Sequence, residues 1–246
     1  MKRLSDVLFL DIETAGAVPT YVDLSPSMQK LWQIKARQIS RDPSLQEEAC
    51  ARLFIDKAAI YSEFAKVVCI SVGHFIVKKS KITGFRTKSF FGDDEVELLK
   101  GFKVLIKEHF NQPKKQFICG HNIREFDIQF LCRRMIINHV RVPRMLDISG
   151  KKPWEVEHLL DTLTLWKYGD YKSYVSLALL SEVLGLPTPK DDIDGSMIHE
   201  TYWKEQDLRR ITKYCEKDVI AVAKVFLRLK SIPVPEKLDF VSKTKS

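Results

Sequence analysis

The chain has 246 residues, 45% of them hydrophobic, enough to bury a sizeable core without disulfides or a structural metal. Lys and Arg number 40 against 32 Asp and Glu, a balance of +8 that suits a polyanionic partner but is shared by many soluble proteins. Five cysteines, odd in number and without CxxC spacing, argue against a disulfide or zinc framework and for free thiols in a reducing compartment.

Lys2 and Arg3 precede an apolar stretch that imitates a signal peptide, but Asp6 and Asp11 interrupt it and no small-residue cleavage site follows. With no apolar run near the length of a membrane span, a cytoplasmic protein without membrane association is expected. Val7-Leu8-Phe9-Leu10, an apolar run bounded by charge, predicts a buried strand. From about Ser25 to Ile60 the apolar residues Leu31, Ile34, Ile39, Leu45, Ala49, Leu53 and Phe54 follow a helical period, broken at Asp42-Pro43. This segment reads as a helical insertion at about 15–62, after the first strand.

Val67 to Val77 and Ile82 to Phe91 are rich in β-branched and aromatic residues and flank Lys78-Lys79-Ser80, a pattern for an antiparallel hairpin. Asp93-Asp94-Glu95 opens an amphipathic helix carrying Val96, Leu99, Ile106 and Phe110, with acids in the turn where the helix dipole favours them. Gln116 to Cys119 reads as a short buried strand, Phe126 to Ile137 as a helix, and Leu159-Leu160 as a last strand running into an Asp161-Thr162 N-cap. Helices over Val175 to Leu184, ended by Gly185, and over Asp207 to Leu229 complete the domain, 1–232; residues 233–246 read as a loose tail. A hairpin followed by alternating strands and helices predicts an α/β domain with a mixed central sheet.

Three small motifs carry the chemistry. In Asp11-Ile12-Glu13 the alternation of a strand puts both carboxylates on one face, about 7 Å apart at Cα. Such a pair is costly at the end of a buried strand unless a cation neutralises it, and oxygen donors suit Mg²⁺ or Mn²⁺. Acids that merely end a strand at the surface are the plain alternative. Asp127 closes Gly120-His121-Asn122-Ile123-Arg124-Glu125-Phe126-Asp127, a strand-to-helix junction of the kind where α/β sheets place their sites, although a first-turn acid also suits a helix dipole. Tyr214 and Asp218 lie four apart on the last helix, beside a core stripe of Leu208, Ile211, Cys215, Val219, Val222, Phe226 and Leu229.

Each motif is weak alone, but their order, DxE then NxxxFD then YxxxD, resembles the tyrosine-bearing branch of the DEDD exonucleases, which have a ribonuclease H-like fold. Within it the chain is most similar to stand-alone bacterial proteins related to the 3′→5′ exonuclease domain of family-B DNA polymerases. The likeness extends over nearly the whole chain, including Lys66 to Gly73 and Pro189 to Ser196. It implies a 3′→5′ exonuclease acting on single-stranded DNA ends with two Mg²⁺ or Mn²⁺ ions. Asp11, Glu13 and Asp218 would hold one ion, Asp11 would bridge to a second supported by Asp127, and Tyr214 would position the attacking water. Such ion pairs activate a water and stabilise the leaving 3′ oxygen. Thr14, through its main chain, and Asn122 and Phe126 match positions that touch the substrate strand; Phe126 could equally pack on Phe130.

Other features weigh less. Arg133, Arg134, Arg141, Arg144, Lys151 and Lys152 form a basic run that reads as a solvated face or a track for a nucleic-acid backbone. The histidines lack zinc spacing, and without a glycine-rich phosphate loop no nucleotide cofactor is expected. RNA trimming and a binding module without catalysis are the alternative functions. The chain ends soon after its third motif with no polymerase domain, so proofreading beside a separate polymerase, repair and end-trimming all stay open.

Overall fold

The computed structural model describes residues 4–171, 174–186, 192–235 and 239–244. Its first strand, β1 (Val7–Gly16), buries Val7 to Leu10 on both faces, as that apolar run requires, and continues to Gly16. The insertion follows as α1 (Pro26–Ser40) and α2 (Glu47–Lys57). Ser25 caps α1 and Pro26 stands at its first turn, where a missing N–H costs nothing. Trp32, Ala36, Cys50 and Phe54 form the core here, with the Trp32 indole donating to Cys50 O at 2.8 Å. Leu31 and Ile34, expected inside, are each 53% exposed. The buried face is one residue out of phase with that reading because the bulky indole takes the inner position.

The hairpin strands are β2 (Ala65–Lys78) and β3 (Lys81–Phe91), joined through Lys79 and Ser80 at φ 47° and 62°, the left-handed pair that a tight hairpin needs. The chain continues through α3 (Glu95–His109), β4 (Phe117–Gly120), α4 (Asp127–Ile137), β5 (Leu159–Asp161), α5 (Thr162–Lys167), α6 (Leu177–Val183), α7 (Ile198–Trp203), α8 (Leu208–Leu229) and β6 (Asp239–Ser242). Asp94 caps α3, Asp161 caps α5 and Asp207 caps α8. Gly185, at φ 64°, follows α6.

The six strands lie in the order β5-β4-β1-β2-β3-β6, a mixed sheet flanked by helices. β1 is parallel to β4 and antiparallel to β2. Alternation along β1 divides the core. Leu8, Leu10 and Ile12 meet α3 and α4, while Val7 and Phe9 meet the α8 residues Val219, Val222 and Phe226. Gly73, opposite Phe9, lets α8 lie close: a Cβ there would stand 2.5 Å from the Phe85 ring and 2.8 Å from Val219 Cγ1.

Three expectations need correction. The tail is not wholly loose, since β6 pairs in parallel with β3 and Thr244 Oγ1 accepts from Ser89 N at 2.9 Å. Helix α7 was not anticipated; it is six residues long and tied to β1 through His199 Nδ1, which accepts from Gly16 N at 3.0 Å. Glu95 and Arg134, read as a dipole acid and part of a basic run, form a buried pair instead, Nη2 to Oε2 at 2.6 Å. Lys2 and Arg3, and Pro189 to Asp191 of the similar stretch, lie outside the described residues.

Candidate active site

Asp11 and Glu13 occupy the same face of β1 as Phe9, toward α8, at the end where the parallel strands β4 and β5 also finish. The pairing shifts between Glu13 (opposite Cys69) and Thr14 (opposite Val67), so Val68 is an extra residue that bends β2 beside the site. Ligand atoms of Asp11, Glu13 and Cys215 all lie within 4.8 Å of one another. Cys215 Sγ donates to Asp11 Oδ2 at 3.4 Å and to Asp11 O at 3.5 Å.

The other predicted residues reach the same place from two further segments. Asp127, at the start of α4, is 4% exposed and lies near the Ile12 N–H, between the two β1 acids. Asp218, one turn beyond Tyr214, acts electrostatically on the Tyr214 phenol and repels Asp11 and Glu13. Four carboxylates and a phenol from distant sequence positions therefore share one electrostatic neighbourhood.

Burial and mutual repulsion dominate its electrostatics. Burial, then Asp218 and Asp127, pushes Asp11 well above the usual carboxylate range. Burial, then Asp11 and Asp218, does the same to Glu13. Burial raises Asp127 to about 7. The Tyr214 phenol is also driven up, by burial first and Asp218 next, so it stays protonated. Hard oxygen donors held close and destabilised as anions fit a divalent cation, and bound cations would supply an acidified water and charge neutralisation at the leaving oxygen.

The predicted substrate contacts divide. The Thr14 hydroxyl donates to Ala59 O at 2.7 Å, so its side chain serves the insertion. Asn122 adopts φ 61°, its N–H donating to Asp161 Oδ1 at 3.0 Å, and among the described residues its side-chain amide makes no hydrogen bond. Phe126 is half-buried against the core and 5.4 Å from the Phe130 ring, in agreement with the packing alternative. Asp161, set aside as a cap, also accepts from Arg124 N and so fixes the turn before Asp127. Cys215 was missed as a neighbour of the site. It sits in the core stripe beside Tyr214, and nothing in the periodicity distinguishes a core thiol from one touching a carboxylate.

Residues 60–239 match the model of a family described as predicted 3′-5′ exonucleases related to the exonuclease domain of PolB. The chain belongs to that family. The match covers Asp127, Tyr214 and Asp218 and begins after Asp11 and Glu13, which the fold brings alongside them. Family-B DNA polymerase from the hyperthermophilic archaeon Pyrobaculum calidifontis is a structural neighbour, with TM-score 0.53 and 17% identity over 90% of this chain. That alignment spans 24% of the polymerase, and at this identity it speaks for the fold. No curated protein matches the chain. Among the described residues no helix is long and apolar enough to cross a membrane.

Proposed function

We propose that this family member hydrolyses single-stranded DNA from its 3′ end with two divalent cations, Mg²⁺ or Mn²⁺, held by Asp11, Glu13, Asp127 and Asp218. The observation that carries the reading is the convergence of these acids with Tyr214 at one strand end, with Asp11 and Glu13 raised by burial and mutual repulsion and Asp127 by burial. Asp11, like Glu13, is repelled by both Asp127 and Asp218, and we assign it the place shared between the two cations. Cys215 orients Asp11 through its Sγ–H. Tyr214, kept protonated, acts by orienting the attacking water rather than by taking its proton.

Substrate contacts fall to the main chain at Thr14 and to the Asn122 amide, with Phe126 offering the exposed part of its ring. The basic charge of the chain favours a polyanion. The test is a single strand labelled at its 5′ end, incubated with Mg²⁺, Mn²⁺ or EDTA beside duplex DNA and RNA. A ladder descending from full length in either cation, absent in EDTA, is expected. Internal fragments from a circular single strand would refute an exonuclease, and equal trimming of RNA would refute the DNA assignment.

A further inference from the structure

A pocket of about 680 Å³ opens between the second half of α3 and the segment that follows α4. Four cations line it, Lys103, Lys107, Arg141 and Arg144, together with Asn111 and one acid, Asp147. Among the described residues none of the four is paired with a carboxylate. Asp147 instead accepts from Ser149 N at 3.1 Å. Unpaired cations gathered around a concavity repel one another, and an anion relieves that repulsion.

The pocket is distinct from the carboxylate site. α4 starts at Asp127 and carries the chain away, and α3 starts where Glu95 accepts from Val67 N, whose residue pairs with Thr14. The pocket lies at the far ends of both helices, on the face of the sheet opposite α8. The length of α4 alone, about 16 Å at 1.5 Å per residue, separates it from Asp127.

We propose that this pocket is a second nucleic-acid site, which holds backbone phosphates of the substrate strand upstream of the 3′ end. It rests on the proposed function and adds where the rest of the strand lies. Lys107, Arg141 and Arg144 are exposed and no buried donor closes over the pocket, which suits a passing backbone better than an enclosed small anion. A stacked strand advances about 3.4 Å per nucleotide, so at least about five nucleotides are needed to span the distance. Shorter strands reach the carboxylate site only.

The test compares wild type with the double variant Lys107→Gln, Arg144→Gln on single strands of about four and about 20 nucleotides. Neither residue touches the carboxylate site. For the long strand KM is expected to rise about tenfold with kcat unchanged, and the salt slope of binding, measured by anisotropy in EDTA, to fall by about 1.4 for two lost phosphate contacts. For the short strand neither should change. An equal rise for both lengths, or none for the long one, overturns the inference. Displacement of the long strand by millimolar inorganic phosphate, beyond the effect of chloride at the same ionic strength, would also overturn it, in favour of a small-anion pocket. Since binding in EDTA needs no hydrolysis, a protein that binds through the pocket but cuts nothing defeats the proposed function alone.

Discussion

Asp127 offers a quantitative test of the acid cluster. Burial lifts its carboxyl from 3.8 to about 7. A folded-state value above the unfolded one means that the native state binds the extra proton. Stability from this group is complete below about pH 4, declines as the pH rises and is gone above about pH 7. The full shift corresponds to about 4 kcal/mol. In a domain of this size that is roughly 10 °C in Tm. Three histidines, half-buried His74 and His121 and buried His199, are held below 6.5 chiefly by desolvation and contribute in the opposite direction as pH rises toward that value. The diagnostic quantity is therefore the difference between Asp127→Asn and wild type, in which the histidines cancel. By circular dichroism melts in EDTA, the variant should match wild type near pH 4 and exceed it by about 10 °C near pH 8. Mg²⁺ at about 100 times its Kd should restore about 2.7 kcal/mol to wild type near pH 8 and little near pH 4. A difference that does not grow with pH, or a Mg²⁺ effect equal at both ends, would refute the argument.

Asp11→Asn or Asp218→Asn should abolish hydrolysis while the far-ultraviolet spectrum is retained; near wild-type cleavage by either folded variant would remove it from the cation set. Tyr214→Phe should slow single-turnover cleavage by roughly tenfold to a thousandfold with divalent-cation binding unchanged, and an unaltered rate would leave the phenol a packing role. Arg134→Met, which strands the Glu95 carboxylate in the core, should cost about 3–5 kcal/mol by urea denaturation, and a loss under about 1 kcal/mol would mean that the pair is solvated. Blunt duplex should be trimmed about tenfold more slowly per step opened than single strand, because each step costs about 1.4 kcal/mol of stacking; equal rates would imply that protein contacts offset the fraying.

The site was legible where side-chain type and backbone period coincide. Asp11 and Glu13 share a face because strands alternate, and Tyr214 and Asp218 because helices repeat near four residues. What failed were inferences from charge or hydrophobicity taken along one dimension. Arg134 stands next to Arg133 in sequence, but on α4 it turns inward to Glu95, which no run of basic residues reveals. Leu31 and Ile34 have the right spacing for a core face, but the larger Trp32 claims it. β6 is four residues long and held partly by Thr244 on Ser89, and no period is readable over so short an edge strand. Cys215 satisfied the stripe and the site together, so the stripe explained it fully and concealed its bond to Asp11.

Two buried glutamates separate structure from chemistry. Glu95 and Glu13 are each 7% exposed. Around Glu95 the fold supplies a guanidinium through Nε and Nη2, the Val67 N–H and the Asn138 amide, so its charge is satisfied from within. Glu13 has no hydrogen bond or ion pair among the described residues, and its neighbour across the strand pair is Cys69. Asp11 likewise has no ion pair among the described residues, with Ser71 opposite and only the Cys215 thiol donating to its carboxylate there. A chain with 40 Lys and Arg places none in an ion pair with either acid among the described residues, although it does so for Glu95. An unneutralised buried carboxylate costs several kcal/mol, far more than surface drift would leave in place. The charge left open is of the sign and hardness that Mg²⁺ or Mn²⁺ would match. Glu13→Gln should then raise Tm in EDTA near pH 8, where Glu95→Gln should lower it. If both variants lose stability alike, Glu13 is a structural acid and the cation assignment loses its support.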